Sequence, residues 1–129
     1  MPDLGNRGNV NGPQPIGQII EPPADLYDVA RQFLGLLMKG DKQAAVAMAS
    51  EDARADVAAA ADSLKPNAYS EIEFFGRARV VKHWWVKARL KKNGAAPAIV
   101  QFRLGPGAGD QWTVFEMMNL TGVRSGWSL

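Results

Sequence analysis

The sequence predicts an α+β domain in which three amino-terminal helices pack on a curved antiparallel sheet. Apolar residues recur at three- and four-residue spacing from Leu26 to Leu37, and in shorter stretches up to Leu64, which is the period of helices with one buried face. From Glu71 the period becomes two. Between Arg77 and Lys91 the odd positions are cations except Val81, His83 and Trp85, whereas Ala78, Val80, Trp84, Val86, Ala88 and Leu90 hold even positions; such a segment is extended, with one wet and one buried face. Glycine-bearing stretches at Lys92–Ala95 and Gly105–Asp110 then punctuate the strands as hairpin loops.

Residues 1–22 carry only Asp3, Arg7 and Glu21 as charges and are dense in Gly, Asn, Pro and Gln. They read as an arm, disordered or extended, before a single domain over 23–120 and a tail over 121–129 in which Trp127 and Leu129 are the anchors. Pro22-Pro23 sets the first helix, with Asp25 and Asp28 where the helix dipole favours negative charge. Its stripe of Leu26, Val29, Ala30, Phe33, Leu36 and Leu37 ends at Lys39-Gly40, a basic last turn and a C-cap glycine. Asp41 caps a second, shorter helix through Ser50, and a third spans about 53–64 until Pro66 stops it.

In the sheet, Gly76 marks a bend or bulge between a short first strand and a long one. Because Lys82-His83 offers no turn residues, the segment 77–91 is read as one bent strand, with two strands meeting there as the alternative. Facial matching predicts the next register: a strict two-residue Asn-Gly turn would mix apolar with polar partners, whereas a three- or five-residue loop pairs Leu90 with Ala98, Ala88 with Val100, Val86 with Phe102 and Trp84 with Leu104. The same register sets Trp85 beside Arg103 as a cation–π pair on the outer face. Gly105–Asp110 precedes the strand-like Trp112-Thr113-Val114-Phe115 and not a helix, so it is a hairpin loop and no phosphate cradle. The last strand runs to about Leu120.

Composition narrows the function classes. A chain of 129 residues with 22% charged and 47% apolar content builds one ordinary core, and no apolar run reaches bilayer length. Met1-Pro2-Asp3-Leu4 shows no basic or apolar leader, which favours the cytoplasm as the expected compartment. The absence of cysteine excludes disulfides, iron–sulfur clusters and thiol nucleophiles, and the single histidine, His83, excludes a multi-histidine metal site. No metal or other cofactor is expected. The net charge of +2 conceals a polarity: residues 21–73 hold ten acids and five bases, whereas 74–104 hold eight bases and no acid. That asymmetry serves attraction between layers or a basic face seeking an acidic partner.

The junction Phe33-Leu34-Gly35-Leu36-Leu37-Met38-Lys39-Gly40-Asp41 and the strand opening Asp110-Gln111-Trp112-Thr113-Val114, set in an order of three helices then antiparallel sheet, resemble the nuclear-transport-factor-like superfamily with its SnoaL-like and ketosteroid-isomerase-like members. The resemblance covers roughly 24–120. It implies a cone whose sheet wraps the helices around an apolar pocket, lined here by Phe33, Trp84, Val86, Phe102, Trp112 and Val114, and often a dimer through the outer sheet face. Members use the pocket as an active site, a ligand site or not at all, so fold does not supply function.

An isomerase-like reaction needs a pocket carboxylate and a hydroxyl donor opposite it. Glu116 is the best carboxylate, since its even position sets it with Trp112, Val114 and Met118 unless a bulge turns it outward; Tyr27 could supply a hydroxyl but reads more simply as helix packing. Lys82 is the other charge at an apolar position, best explained by a strand end. Asn119-Leu120-Thr121 matches a glycosylation sequon. No base, donor and orienting group assemble, so the expected role is a non-catalytic module that associates with a second copy or a larger protein complex. Its interface would be Trp85, Lys87, Arg89, Ile99, Gln101 and Arg103, aided by the arm, because Trp and Arg are enriched at interfaces. Two alternatives stand beside it: a small apolar ligand or an isomerase- or hydrolase-like substrate in the pocket, and single-stranded nucleic acid on the basic face with Trp85 and His83.

Overall fold

In the computed structural model, residues 22–94 and 96–121 are described. The arm before Pro22 and the tail beyond Thr121 lie outside the described residues. Three helices, α1 (Leu26–Lys39), α2 (Lys42–Ala47) and α3 (Arg54–Ser63), precede four strands, β1 (Glu71–Val80), β2 (His83–Lys91), β3 (Ala98–Pro106) and β4 (Trp112–Asn119). The strands form one antiparallel meander in the order β1-β2-β3-β4.

Helix boundaries follow the local chemistry. Gly40 closes α1 in the left-handed region at φ 82, where its N–H reaches the Leu36 and Leu37 carbonyls. Asp41 caps α2 by accepting from the Ala44 N–H at 3.2 Å. The core lies between the helices and the inner face of the sheet. Leu26, Phe33, Leu34 and Leu37 of α1 and Val57 of α3 are fully buried, as are Val86, Leu90, Val100, Phe102, Leu104 and Val114 of the sheet. Phe33 and Phe102 meet with ring centroids 5.3 Å apart. Each such side chain contributes about 1.5–3 kcal/mol through burial.

The register of β2 against β3 is the one facial matching predicts, from Trp84↔Leu104 to Leu90↔Ala98. The loop is odd in length but longer than three or five: positions 91–97 lie between the last paired residues, seven in all, with Gly94 left-handed at φ 80. Lys91 is held instead by its pairing with Glu71 of β1.

Three expectations are corrected. Residues 77–91 are two strands, because Val80 pairs with His83 and the chain reverses at Val81-Lys82 with Val81 at φ 59. Lys82 therefore sits in an exposed turn and not on a strand face. The bulge foreseen near Gly76 inserts Phe75 between the pairs Phe74↔Ala88 and Gly76↔Lys87, and an inserted residue exchanges the faces of all that follow. Arg77 and Arg79 consequently pair with Val86 and Trp84 on the inner face, while Ala78 and Val80 turn outward; the Arg77 guanidinium donates to the Tyr27 hydroxyl on α1 at 3.3 Å. A second bulge, at Phe115 between Leu104↔Val114 and Arg103↔Glu116, does the same to β4. It turns Glu116 and Met118 outward and brings Met117 into the core.

Candidate functional site

The outer face of the sheet is built by alternation plus these two bulges. β2 contributes His83, Trp85, Lys87, Arg89 and Lys91, and β3 contributes Ile99, Gln101 and Arg103. The bulges add Phe75 and Phe115, each identified as outward by its contacts: the Arg89 guanidinium lies 4.3 Å over Phe75, and His83 and Phe115 meet at 4.6 Å between ring centroids. Trp85, Arg89, Ile99 and Arg103 are half-buried there, whereas Met118 is 38% exposed. Lys87 and Gln101, expected as exposed interface residues, are 8% and 4% exposed in the middle of the face. Gly76 opposite Lys87 leaves room for its stem, an added Cβ there lying 3.4 Å from Lys87 Cβ. Burial pushes the Lys87 amine below its ordinary value.

Arg103 is the hub. One terminal nitrogen binds Glu116 Oε1 at 2.7 Å, the other donates to His83 Nδ1 at 2.7 Å, and its Cζ lies 5.8 Å from the Trp85 ring centroid and 5.7 Å from that of Phe115. A guanidinium only donates, so His83 Nδ1 accepts and the ring is neutral, with its proton on Nε2. Burial first, then the Arg103 charge, hold the His83 pKa below its ordinary value. Glu73 binds Arg89 at 2.8 Å and Lys91 at 3.4 Å. The Arg89 hydrogen bond, then the Lys91 charge, lower its pKa.

These pairings revise the basic face. Arg89, Lys91 and Arg103 are engaged by carboxylates that β1 and β4 bring in, and Arg77 and Arg79 lie on the other side of the sheet. The row of free cations on which a nucleic-acid platform would rest is broken up. What Trp85 and Arg103 retain is the expected cation–π contact.

The inner side also departs from expectation. Phe33, Val86, Phe102 and Val114 are fully buried and Trp84 is 5% exposed, so they belong to the core between helices and sheet. Glu116, on the outer face with Arg103, is remote from the inner set, and Tyr27 packs on Phe74 at 4.9 Å between ring centroids. Base and donor candidates are thus on opposite faces of the sheet. Of the predicted lining, Trp112 borders a cavity among the described residues, a space of about 330 Å³ between α1, the Ala47–Ala49 segment and the start of β4. Its walls are Val29, Gln32, Ala47, Met48, Ala49, Gln111, Trp112 and Thr113, none of them titratable. The Trp112 indole N–H donates to Asp25 Oδ2 at 2.7 Å, which ties the start of β4 to the start of α1.

Among the described residues no three His, Asp or Glu side chains are grouped to hold a metal ion, and no helix is long and apolar enough to cross a membrane. The sequon residue Asn119 donates to Ser63 Oγ at 2.8 Å and accepts from the Thr121 N–H at 3.0 Å. Sequence reasoning missed Phe75, Phe115 and Gly105. An added Cβ on Gly105 would lie 2.5 Å from His83 Cδ2, so this glycine is where the histidine ring rests on the strand.

No known protein-family model matches the chain, and no curated protein matches it in sequence. Among solved structures, an NTF2-like transpeptidase from Campylobacter jejuni is 13% identical with a TM-score of 0.55, over 71% of this chain and 98% of that one. A protein from Sphaerobacter thermophilus is 16% identical with a TM-score of 0.47, over 78% of this chain and 97% of that one. At this identity the first likeness speaks to architecture alone. Three helices on a four-stranded antiparallel meander, superposable on that neighbour over nearly its whole length, give this chain the nuclear-transport-factor-2-like (SnoaL-like) fold.

Proposed function

We propose that the chain acts as a non-catalytic association module that docks through its outer sheet face, first on a second copy of itself. One observation carries the reading: the two bulges place Phe75 and Phe115 on the outer face with Trp85, Ile99 and Met118, while the contacts between helices and sheet among the described residues fall on the inner face, at Phe74, Arg77, Phe102, Trp112, Val114 and Asn119. The helical layer thus lies on one face, and the other carries these apolar and aromatic side chains among its ion pairs. Trp, Phe, Met and Arg are the residue types that interfaces concentrate, and the ion pairs Arg89–Glu73 and Arg103–Glu116 fix the two arginines among the aromatic rings. A sheet face meeting its own copy across a two-fold axis satisfies both partners with one set of residues.

Sedimentation velocity over a concentration range tests this. Wild type is expected to shift toward twice the monomer mass, and Trp85→Glu and Phe115→Glu to stay monomeric with unchanged far-UV circular dichroism. A wild type that remains monomeric up to about 100 μM, where even a weak dimer of about −5 kcal/mol would populate, removes the self-association reading.

A further inference from the structure

A binding site of a different kind lies at the edge of β4. The segment after α2 joins β4 as a one-rung parallel strand: the Val114 N–H donates to the Met48 carbonyl at 2.9 Å, and the Ser50 N–H donates to the Val114 carbonyl at 2.8 Å. Continuing the ladder toward the start of β4 would take the Met48 N–H to the Trp112 carbonyl and the Trp112 N–H to the Val46 carbonyl. Neither bond is made. The Met48 N–H donates to the Ala45 carbonyl at 3.1 Å, and the Val46 carbonyl accepts from the Ala49 N–H at 3.0 Å, both within the last turn of α2.

Trp112 also gains nothing from β3. Hydrogen-bonded and non-bonded pairs alternate along an antiparallel ladder, and since Val114 uses its backbone groups on the Met48 side, its neighbour two residues earlier turns its groups the same way. Its partner across the sheet is Pro106, which has no N–H to give. Trp112 therefore presents a backbone donor and acceptor, unpaired among the described residues, where the two segments diverge. That divergence is the cavity of about 330 Å³. Two carboxamides, Gln32 and Gln111, border it, with Val29, Ala47, Met48 and Ala49 as apolar walls and no ionisable side chain.

We infer that this cavity binds an extended, uncharged peptide segment, which adds to β4 as a strand of one residue by exchanging two hydrogen bonds with the Trp112 backbone. An N–H and a carbonyl from one residue are what a secondary amide chain offers at this spacing, and strand addition to an open edge is a general mode of peptide capture. The neutral lining selects small uncharged side chains, because a charge brought there would lose its hydration without a partner.

The probe is a blocked trialanine, acetylated and methylamidated, titrated into the ¹⁵N-labelled full chain. Saturable shifts of the Trp112 and Thr113 amides are expected below about 10 mM. A depsipeptide probe with one amide replaced by an ester is expected to bind about tenfold more weakly, having lost a donor. Ala47→Trp, at an exposed position on the cavity wall, is expected to abolish the shifts and leave the melting temperature unchanged. Absence of shifts with wild type, equal binding of the ester probe, or undiminished binding to Ala47→Trp would each overturn the assignment.

Discussion

Val81→Asn is expected to stabilise the protein. Val81 occupies the β1–β2 turn at φ 59 with 81% of its surface exposed. A left-handed backbone costs an ordinary L-residue about 1–2 kcal/mol, and a β-branched side chain is among the worst suited to it. Exposure means that the side chain recovers little of this by packing. Asparagine tolerates the left-handed region and avoids the extra unfolded-state entropy that glycine would add, so the gain is about 1 kcal/mol. For a folded unit of roughly 100 residues that raises the melting temperature by about 4–8 °C, readable by far-UV circular dichroism and by the urea midpoint at constant m. Val81→Thr, of the same shape and with no aptitude for positive φ, should leave both readings in place. If 77–91 were one continuous strand, asparagine would instead cost up to about 1 kcal/mol through its poor strand propensity. A lowered or unchanged midpoint for Val81→Asn therefore refutes the reasoning and the two-strand register together.

Gly105→Ala should destabilise by about 1–3 kcal/mol, since its Cβ would press on a His83 ring held by Arg103 and Phe115. The double variant with His83→Ala should recover most of that loss in urea denaturation, and additive losses would show that the close approach is not what matters. The lowered His83 pKa also makes stability pH-dependent. Below the ordinary histidine value of about 6.5 the unfolded chain binds a proton that the folded ring resists, so stability is complete above that value and falls as pH drops toward the folded pKa. His83→Asn, whose side-chain oxygen can still accept from Arg103, should flatten the melting temperature between about pH 7 and 5.5 relative to wild type; an identical slope in both proteins would assign the titration elsewhere. Glu73 acts in a lower window, its stabilisation being lost only as pH falls below the ordinary carboxylate range.

Much of this architecture is legible in single residues. Gly40 after Lys39 and Asp41 at the next cap place the α1–α2 junction because each answers a local backbone need, a left-handed φ and an unpaired N–H. The β2–β3 register is legible because both strands keep a strict period of two, so only pairings that match apolar with apolar bury both. The faces of Arg77, Arg79, Glu116 and Met118 are another matter. Each lies beyond a bulge, and a single unpaired residue, Phe75 or Phe115, reverses every side chain after it. Whether a residue is left unpaired depends on the partner strand and on what packs above it, information that local periodicity does not contain.

By itself, then, the amino-acid order determined three helices, an antiparallel meander and a buried set led by Phe33, Val86 and Phe102, because burial and capping are properties of neighbouring residues. Only the tertiary structure decided that the outer face is an aromatic surface braced by ion pairs and not a cationic one. It alone also left the Trp112 backbone facing a cavity, since both outcomes follow from which hydrogen bonds distant segments spend on each other.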